Sequence, residues 1–209
     1  MYKTLKKLIY PEGKCHKNYT SFILWSFATN FIVSIESAMA SHSMLIAIGN
    51  DSESYRTFNY IAKDIIGQLG ALGYISKMST SADKDPYKFL NYSNFIQQVG
   101  YVTMFTTPLV PAYFLPLAGC SNILSNMSFI GFGAINARCI KVLAIDDNIS
   151  EVYAKVGIIN MLGSSLGLLS GVGLTVLIPD HHTRLYLTPL LAFLRIYTLN
   201  KSIKFLSNL

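Results

Sequence analysis

Between Lys88 and Arg138 the chain runs for 49 residues without a charged side chain, and between Lys155 and Asp180 for another 24. A helix that crosses bilayer hydrocarbon needs about 20 mostly apolar residues. The longer gap therefore holds two passes and the shorter one holds a third. Apolar residues run all round any helix drawn through these gaps, without the polar stripe of a helix on a water-soluble surface. The whole chain agrees. Asp, Glu, Lys and Arg make up 13% of it, hydrophobic residues 51%, and the mean hydropathy is +0.38. Soluble domains carry about 25% charged residues, so lipid is the expected solvent. Disorder, a coiled coil and a collagen-like rod are excluded.

Hydrophobic runs and the turn signals between them predict six helices, at about 21–48, 55–76, 89–106, 113–143, 152–178 and 183–199. Gly49-Asn50-Asp51, the polar loop 77–88, Pro108 to Pro111 and Pro179-Asp180 punctuate them, and the sixth carries Pro189. The expected fold is all-α, a polytopic membrane helical bundle occupying residues 19–199. Residues 1–18 form a basic amphipathic segment, with Tyr2, Leu5, Leu8 and Ile9 on a face opposite Lys3, Lys6 and Lys7, the pattern of a short helix lying in the membrane surface. Residues 200–209 read as a basic tail. The apolar run Leu8-Ile9-Tyr10 stops at Pro11-Glu12-Gly13, too soon for a cleavable signal sequence.

Orientation follows from the basic residues, because cytoplasmic loops collect Lys and Arg. With the N-terminus inside, the inner segments hold Lys3, Lys6, Lys7, Lys14 and Lys17, then Lys77, Lys84 and Lys88, then Arg138, Lys141 and Lys155, and last Arg195, Lys201 and Lys204. The outer loops hold only Arg56 and Arg184, and Lys63 falls within a span. Both termini are thus expected on the cytoplasmic side. The same asymmetry accounts for the net charge of +6 through an anionic leaflet, with no need of nucleic acid.

The chain also echoes itself. Ala62-Lys63-Asp64-Ile65-Ile66-Gly67-Gln68-Leu69-Gly70 recurs loosely as Ala154-Lys155-Val156-Gly157-Ile158-Ile159-Asn160-Met161-Leu162-Gly163. Ile46-Ala47-Ile48 before its turn is matched by Leu143-Ala144-Ile145 before Asp146-Asp147-Asn148. Repeats at 19–106 and 111–199 would contain three helices each, so the second would be inserted upside down. Inverted repeats of this kind build many secondary transporters around a site near mid-membrane.

Several of these residues carry a family resemblance. Pro11 and Gly13, followed by Tyr19, Phe22 and Trp25, are similar to the Pro-x-Gly and Tyr-x-x-Tyr-x-x-Trp of the root-UVB-sensitive family. Gly49 to Asp51, then Lys63-Asp64 with Gly67 and Gly70, resemble its Gly-Asp turn and Lys-Asp-Gly helix. Asn148-Ile149-Ser150-Glu151-Val152-Tyr153-Ala154-Lys155-Val156-Gly157 resembles its Asn-x-x-Asp-Val-x-Ala-Lys-Asp-Gly. The likeness covers about residues 8–175. Departures include Lys14-Cys15 after the first Gly, Ser26 after the Trp, Val156 in the second Lys-Asp-Gly and Tyr87-Lys88-Phe89 in the middle loop. Members also generally continue into a C-terminal region, so this reads as a divergent, minimal member. The resemblance implies a membrane-associated protein linked in plants to vitamin B6 homeostasis and ultraviolet-B responses, and it supplies no catalytic residues.

Enzyme motifs are sparse: HExxH and a Walker loop are both missing, and Gly131-Phe132-Gly133 and Gly171-Val172-Gly173 lack the third Gly of a dinucleotide fingerprint. The chain is therefore not read as an enzyme. Cys15, Cys120 and Cys139 have no metal-ligand spacing, so neither metal nor cofactor is expected. His181-His182 is read as a solvated outer loop, and His42 as a structural residue. Gly163, Gly167 and Gly171 clear one face of the fifth helix for close packing, and Gly67, Gly70 and Gly73 one face of the second, so these two faces are expected to meet. Charges inside spans are costly and tend to be functional. Glu36, Lys63 and Asp64 are accordingly expected to line a polar cavity, with Lys155 as the second repeat's counterpart. The function this supports is a small-molecule carrier whose partners are membrane lipid and a small polar metabolite, assembled as a homodimer or with another family member. The alternative is a non-transporting scaffold that recruits a partner through basic inner loops 77–88 and 138–155.

Overall fold

A computed structural model describes residues 7–49, 51–78 and 84–208. Six long helices account for most of them: α1 Tyr19–Ala47, α2 Glu53–Met78, α3 Pro86–Thr106, α4 Phe114–Leu143, α5 Ile149–Leu177 and α6 His181–Ile203. Short 3-10 turns at Thr107–Leu109 and Pro111–Tyr113 join α3 to α4, and another at Lys204–Asn208 follows α6. No strand occurs among the described residues; the fold is all-α. Two helices, Tyr19–Ala47 and Ile149–Leu177, are long and apolar enough to cross a membrane by length and composition. The expected face of Tyr2, Leu5, Lys3 and Lys6 lies outside the described residues.

Local chemistry sets the helix ends. Asp85 caps α3 by accepting from Lys88 N at 3.0 Å, and Pro86 supplies the first helical residue, where a missing N–H costs nothing. Asp180 does the same for α6, accepting from the Thr183 hydroxyl and from Thr183 N at 2.7 Å, and these two bonds, the hydroxyl's first, hold its carboxyl below the usual range. Pro189 lies inside α6 and cannot bond the Leu185 carbonyl; the Thr188 hydroxyl donates to that oxygen instead, at 2.8 Å. The helix continues to Ile203, and Phe205 and Leu206 pack into the core beside Phe22, so residues 200–206 are not a free tail.

Contact registers give each helix a direction. Gly163 meets Phe27 and Gly171 meets Ile35, so α1 and α5 are parallel. Thr29 bonds Thr198 and His42 bonds Arg184, so α1 and α6 are antiparallel. Gly119 meets Ile66 and Gly70 meets Ile123, making α2 and α4 parallel, whereas Gly100 beside Ser121 and Ser93 beside Ser128 make α3 and α4 antiparallel. Asn94 on Arg195 and Tyr87 on the Ile203 carbonyl set α3 against α6. Direction therefore alternates strictly along the chain.

Packing does not follow the two successive halves. α1 packs chiefly on α5 and α6, and α4 chiefly on α2 and α3. The glycine faces do not meet each other, contrary to the sequence expectation. A Cβ on Gly163 would come within 2.7 Å of the Phe27 carbonyl, and one on Gly167 would strike the Phe31 carbonyl, both on α1. Gly67 and Gly70 instead accommodate Asn122 and Ile123 of α4. Each glycine face serves the first helix of the other half.

Candidate functional site

Beside two apolar clusters, around Phe22 and Ile140 and around Met39 and Phe105, the interior of this bundle carries a band of buried polar side chains. α6 shows it best. Arg184, Thr188, Arg195, Thr198 and Ser202 are buried along one face, while Tyr186, Leu190, Phe193 and Ile196 point outward. The spacing of the buried set is helical, so the sequence writes an amphipathic helix turned inside out. On α5 the outward residues are Leu169, Val172, Val176 and Leu177, and on α2 they are Phe58, Ile61, Ile65, Leu69 and Leu72.

Arg195 is fully buried and organises the centre. Its Nη1 donates to Glu36 Oε2 at 3.0 Å, its Nε to Asn94 Oδ1 at 2.6 Å and its Nη2 to the Asn94 carbonyl at 2.8 Å. The guanidinium also lies over the Tyr101 ring, 5.7 Å from its centroid. Glu36 is equally buried. The cluster joins α1, α3 and α6, and Thr198 extends it: its hydroxyl donates to the Arg195 carbonyl and stands 3.0 Å from Thr29 Oγ1.

Thr29 opens onto a cavity of about 430 Å³ between α1, α4 and α5, bounded also by parts of α3 and α6 and open at the exposed Phe129 and Tyr153. That volume falls within the usual range for small-molecule sites. Ser26, Asn30 and Ser34 line it from α1, Asn136 from α4, Asn160 and Ser164 from α5, Gln97 from α3 and Ser202 from α6, among Phe22, Phe129, Phe132 and Leu199. Asn160 Oδ1 accepts from Ser26 Oγ at 3.0 Å and from Asn30 Nδ2 at 3.1 Å, which fixes the polar wall. Gln97 donates to the Tyr101 hydroxyl at 3.2 Å, and its Oε1 has no hydrogen-bond partner. No Lys, Arg, His, Asp or Glu side chain lines the cavity among the described residues.

The charged residues named from the sequence lie elsewhere and are not brought together. Glu36 stands behind the wall and pairs with Arg195, not with Lys63. Lys63 pairs with its neighbour Asp64 at 2.7 Å and sits over the Tyr60 ring, while Asn122 of α4 donates to Asp64 Oδ1 at 2.7 Å. This is an α2–α4 clasp, outside the cavity. Lys155 donates to the Lys7 carbonyl, near the start of the chain. His181 and His182 open α6 rather than a loop, and His42 bonds Arg184.

The family-like residues do converge. Residues 9–18 are strapped across the turn between α4 and α5. Glu12 N donates to Glu151 Oε1 at 2.8 Å, Lys14 N to Asp146 Oδ2 at 3.1 Å, Asn148 Nδ2 to the Lys14 carbonyl at 3.1 Å and His16 N to the Leu143 carbonyl at 2.9 Å. A Cβ on Gly13 would lie 2.6 Å from Asn148 Nδ2. Gly13, Asn148 and Glu151 thus form one latch, with Pro11 partly buried beside Glu12 and Val152 fully buried next to Glu151. Trp25 meets the Tyr197 ring edge-on at 5.7 Å. Ala154 is exposed, and a Cβ on Gly157 would meet open space.

The cavity's amides and hydroxyls escaped the sequence reading, which weighed charges. Their signal was present: Ser26, Asn30 and Ser34 recur every four residues in an apolar run, as do Asn160 and Ser164.

Comparison with known proteins identifies a family and several relatives. Residues 1–207 match the family described as a vitamin B6 photo-protection and homoeostasis domain. The chain is 32% identical over 175 residues to protein root UVB sensitive 4 of Arabidopsis thaliana, covering 80% of this chain and 33% of that protein. To protein root UVB sensitive 2, chloroplastic, of the same plant it is 22% identical over 179 residues, covering 83% and 41%. To RUS family member 1 of Dictyostelium discoideum it is 23% identical over 188 residues, covering 86% and 36%. The chain thus spans between a third and two fifths of the length of these relatives. No solved structure matches.

Proposed function

The chain belongs to the root-UVB-sensitive family, and we propose that it works there as an integral membrane carrier of a small polar metabolite of the vitamin B6 group. The reading has six spans, both termini inside, and the 430 Å³ cavity as the binding site. The carrying observation is the inversion of polarity. Serine, threonine and amide side chains turn inward onto a cavity, while large apolar side chains turn outward on α2, α5 and α6. In water that distribution would expose a continuous apolar surface; in hydrocarbon it is the expected one.

Further features support it. The shortest of the six helices has 21 residues, about 31 Å at 1.5 Å per residue, enough for a hydrocarbon core of about 30 Å. Alternating direction fits consecutive spans. An inverted repeat would pair α1 with α4, α2 with α5 and α3 with α6. Under that pairing α1 on α5 and α6 corresponds to α4 on α2 and α3, which is the packing observed. The halves would then be interlocked by exchange of their first helices, with the cavity where they meet.

The test is uptake into liposomes holding the purified chain. Saturable uptake of a B6 vitamer is expected, reduced at least about tenfold by Ser164→Trp, which fills the cavity, and unchanged by Leu168→Ala on the outer face. Folded protein that moves no vitamer faster than empty liposomes overturns the carrier reading. Capture of a partner by the inner loops of such protein would favour a scaffold.

A further inference from the structure

The cavity lining says which form of a vitamer would fit, and this step rests on the carrier reading above. B6 vitamers come as free pyridines bearing hydroxyl, aldehyde or amine groups and as their phosphate esters. A phosphate ester carries nearly two negative charges at neutral pH. Sites that bind such groups supply Arg or Lys, a metal ion or a cradle of backbone N–H groups. Here the lining is mostly apolar, aliphatic and aromatic, with hydroxyl and amide groups set in it and no cation among the described residues. Arg195 does not line the cavity, and each of its three nitrogens is bonded to Glu36 or Asn94. Around the cavity the backbone is helical, so its N–H groups are already bonded within α1, α4 and α5.

What the lining does offer suits a neutral ring with several hydrogen-bonding groups. Gln97 is 8% exposed, its Oε1 has no partner, and its side chain forms part of the wall. A buried acceptor without a donor is costly, and a turn of the Gln97 amide that brings this enclosed oxygen to the cavity lets a ligand hydroxyl remove the cost. Asn136 and Ser164 add donors and acceptors, and Phe129 and Phe132 add flat apolar surface. Because no Lys side chain lines the cavity, an aldehyde vitamer meets no amine there with which to condense, and it stays free to leave.

We propose that this cavity takes the unphosphorylated, neutral B6 vitamers and rejects their phosphate esters, with Gln97 as the residue that reads a ligand hydroxyl. Competition binding on the detergent-purified full chain tests it, with radiolabelled pyridoxine as probe and pyridoxal, pyridoxine 5′-phosphate and pyridoxal 5′-phosphate as competitors. The esters should compete roughly 100-fold more weakly than the free compounds, since an unpaired anion would lose its hydration there. Gln97→Leu should weaken pyridoxine about tenfold while the thermal transition persists. Ser164→Lys, which adds a cation, should shift preference toward the esters. Esters that bind as well as or better than pyridoxine, at a site sensitive to Gln97→Leu, overturn the neutral-ligand proposal and leave the carrier reading standing. If folded protein binds neither class, both fall. Pyridoxine binding that Gln97→Leu leaves untouched removes the role given to Gln97.

Discussion

The pair formed by Glu36 and Arg195 makes a quantitative demand on the structure. Both side chains are fully buried, so each charge has exchanged water for the other. Removing one partner strands the other, at a cost of about 3–5 kcal/mol. Glu36→Gln keeps a polar group opposite Nη1 and leaves both Asn94 contacts, so its cost should fall near the lower figure. Arg195→Met also forfeits two bonds to Asn94 and belongs near the upper one. The double variant Glu36→Gln/Arg195→Met buries no charge and should be less damaged than the two losses added, by about 2–4 kcal/mol. Reversible unfolding of the three variants in mixed detergent micelles, by titration with dodecyl sulfate, gives the coupling. Losses that add to within about 0.5 kcal/mol would refute a mutually dependent pair. Arg195→Lys sharpens the test: a point charge cannot reach Glu36 and both Asn94 oxygens together, so it should recover only part of the loss.

Other perturbations probe separate features. Gly167→Leu should cost more than about 3 kcal/mol by driving a side chain into the Phe31 carbonyl, whereas Leu168→Ala, on the exposed face, should cost under about 1 kcal/mol; thermal unfolding in detergent compares them, and equal transitions would contradict the close α1–α5 contact. Gly13→Ala should lift residues 9–18 from the α4–α5 turn, weakening the latch by about 1 kcal/mol and speeding hydrogen exchange at His16 N about fivefold, with no change if the latch is slack. Cys120 is exposed on α4 and Cys139 is buried. A bulky, membrane-impermeant maleimide should label Cys120 in detergent and fail in intact vesicles from either side, while Cys139 resists both; labelling of Cys120 in sealed vesicles would place that face in water.

How much of this was written in the sequence depends on the interaction involved. Helix positions were legible because uncharged runs and Pro, Gly and Asp breaks act locally. The ends of the helices read from residues 89 and 183 were missed because Asp85-Pro86 and Asp180 form cap-and-first-residue pairs within what looked like loops. Extending α6 to Ile203 has the larger consequence. It moves Arg195 two turns into the bundle, from the basic rim expected of it to the partner of Glu36. Which charge meets which is a matter of tertiary register, and proximity along a hairpin pointed wrongly to Lys63. The latch was legible as two motifs, Pro11 to Gly13 and Asn148 to Glu151, but nothing local says that they touch.

The placement of the buried cluster constrains how such a bundle can move. Glu36 and Arg195 belong to α1 and α6, within one packed group, while Asn94 belongs to α3 in the other. A rocking of the groups that opens the cavity would therefore leave the ion pair whole and break neutral contacts of α3, the Asn94 bonds to Arg195 and the Tyr87 bond to the Ile203 carbonyl. That division is energetically sensible, because separating two buried charges costs several kcal/mol and releasing an amide costs far less. It also places part of the cost of motion on Asn94. Asn94→Ala removes a contact specific to the described conformation, so it should accelerate any transport limited by leaving that conformation, whereas Glu36→Gln should lower stability without acceleration. A rate that falls with Asn94→Ala in protein of unchanged stability would mean that the two groups do not part along the α3–α6 seam.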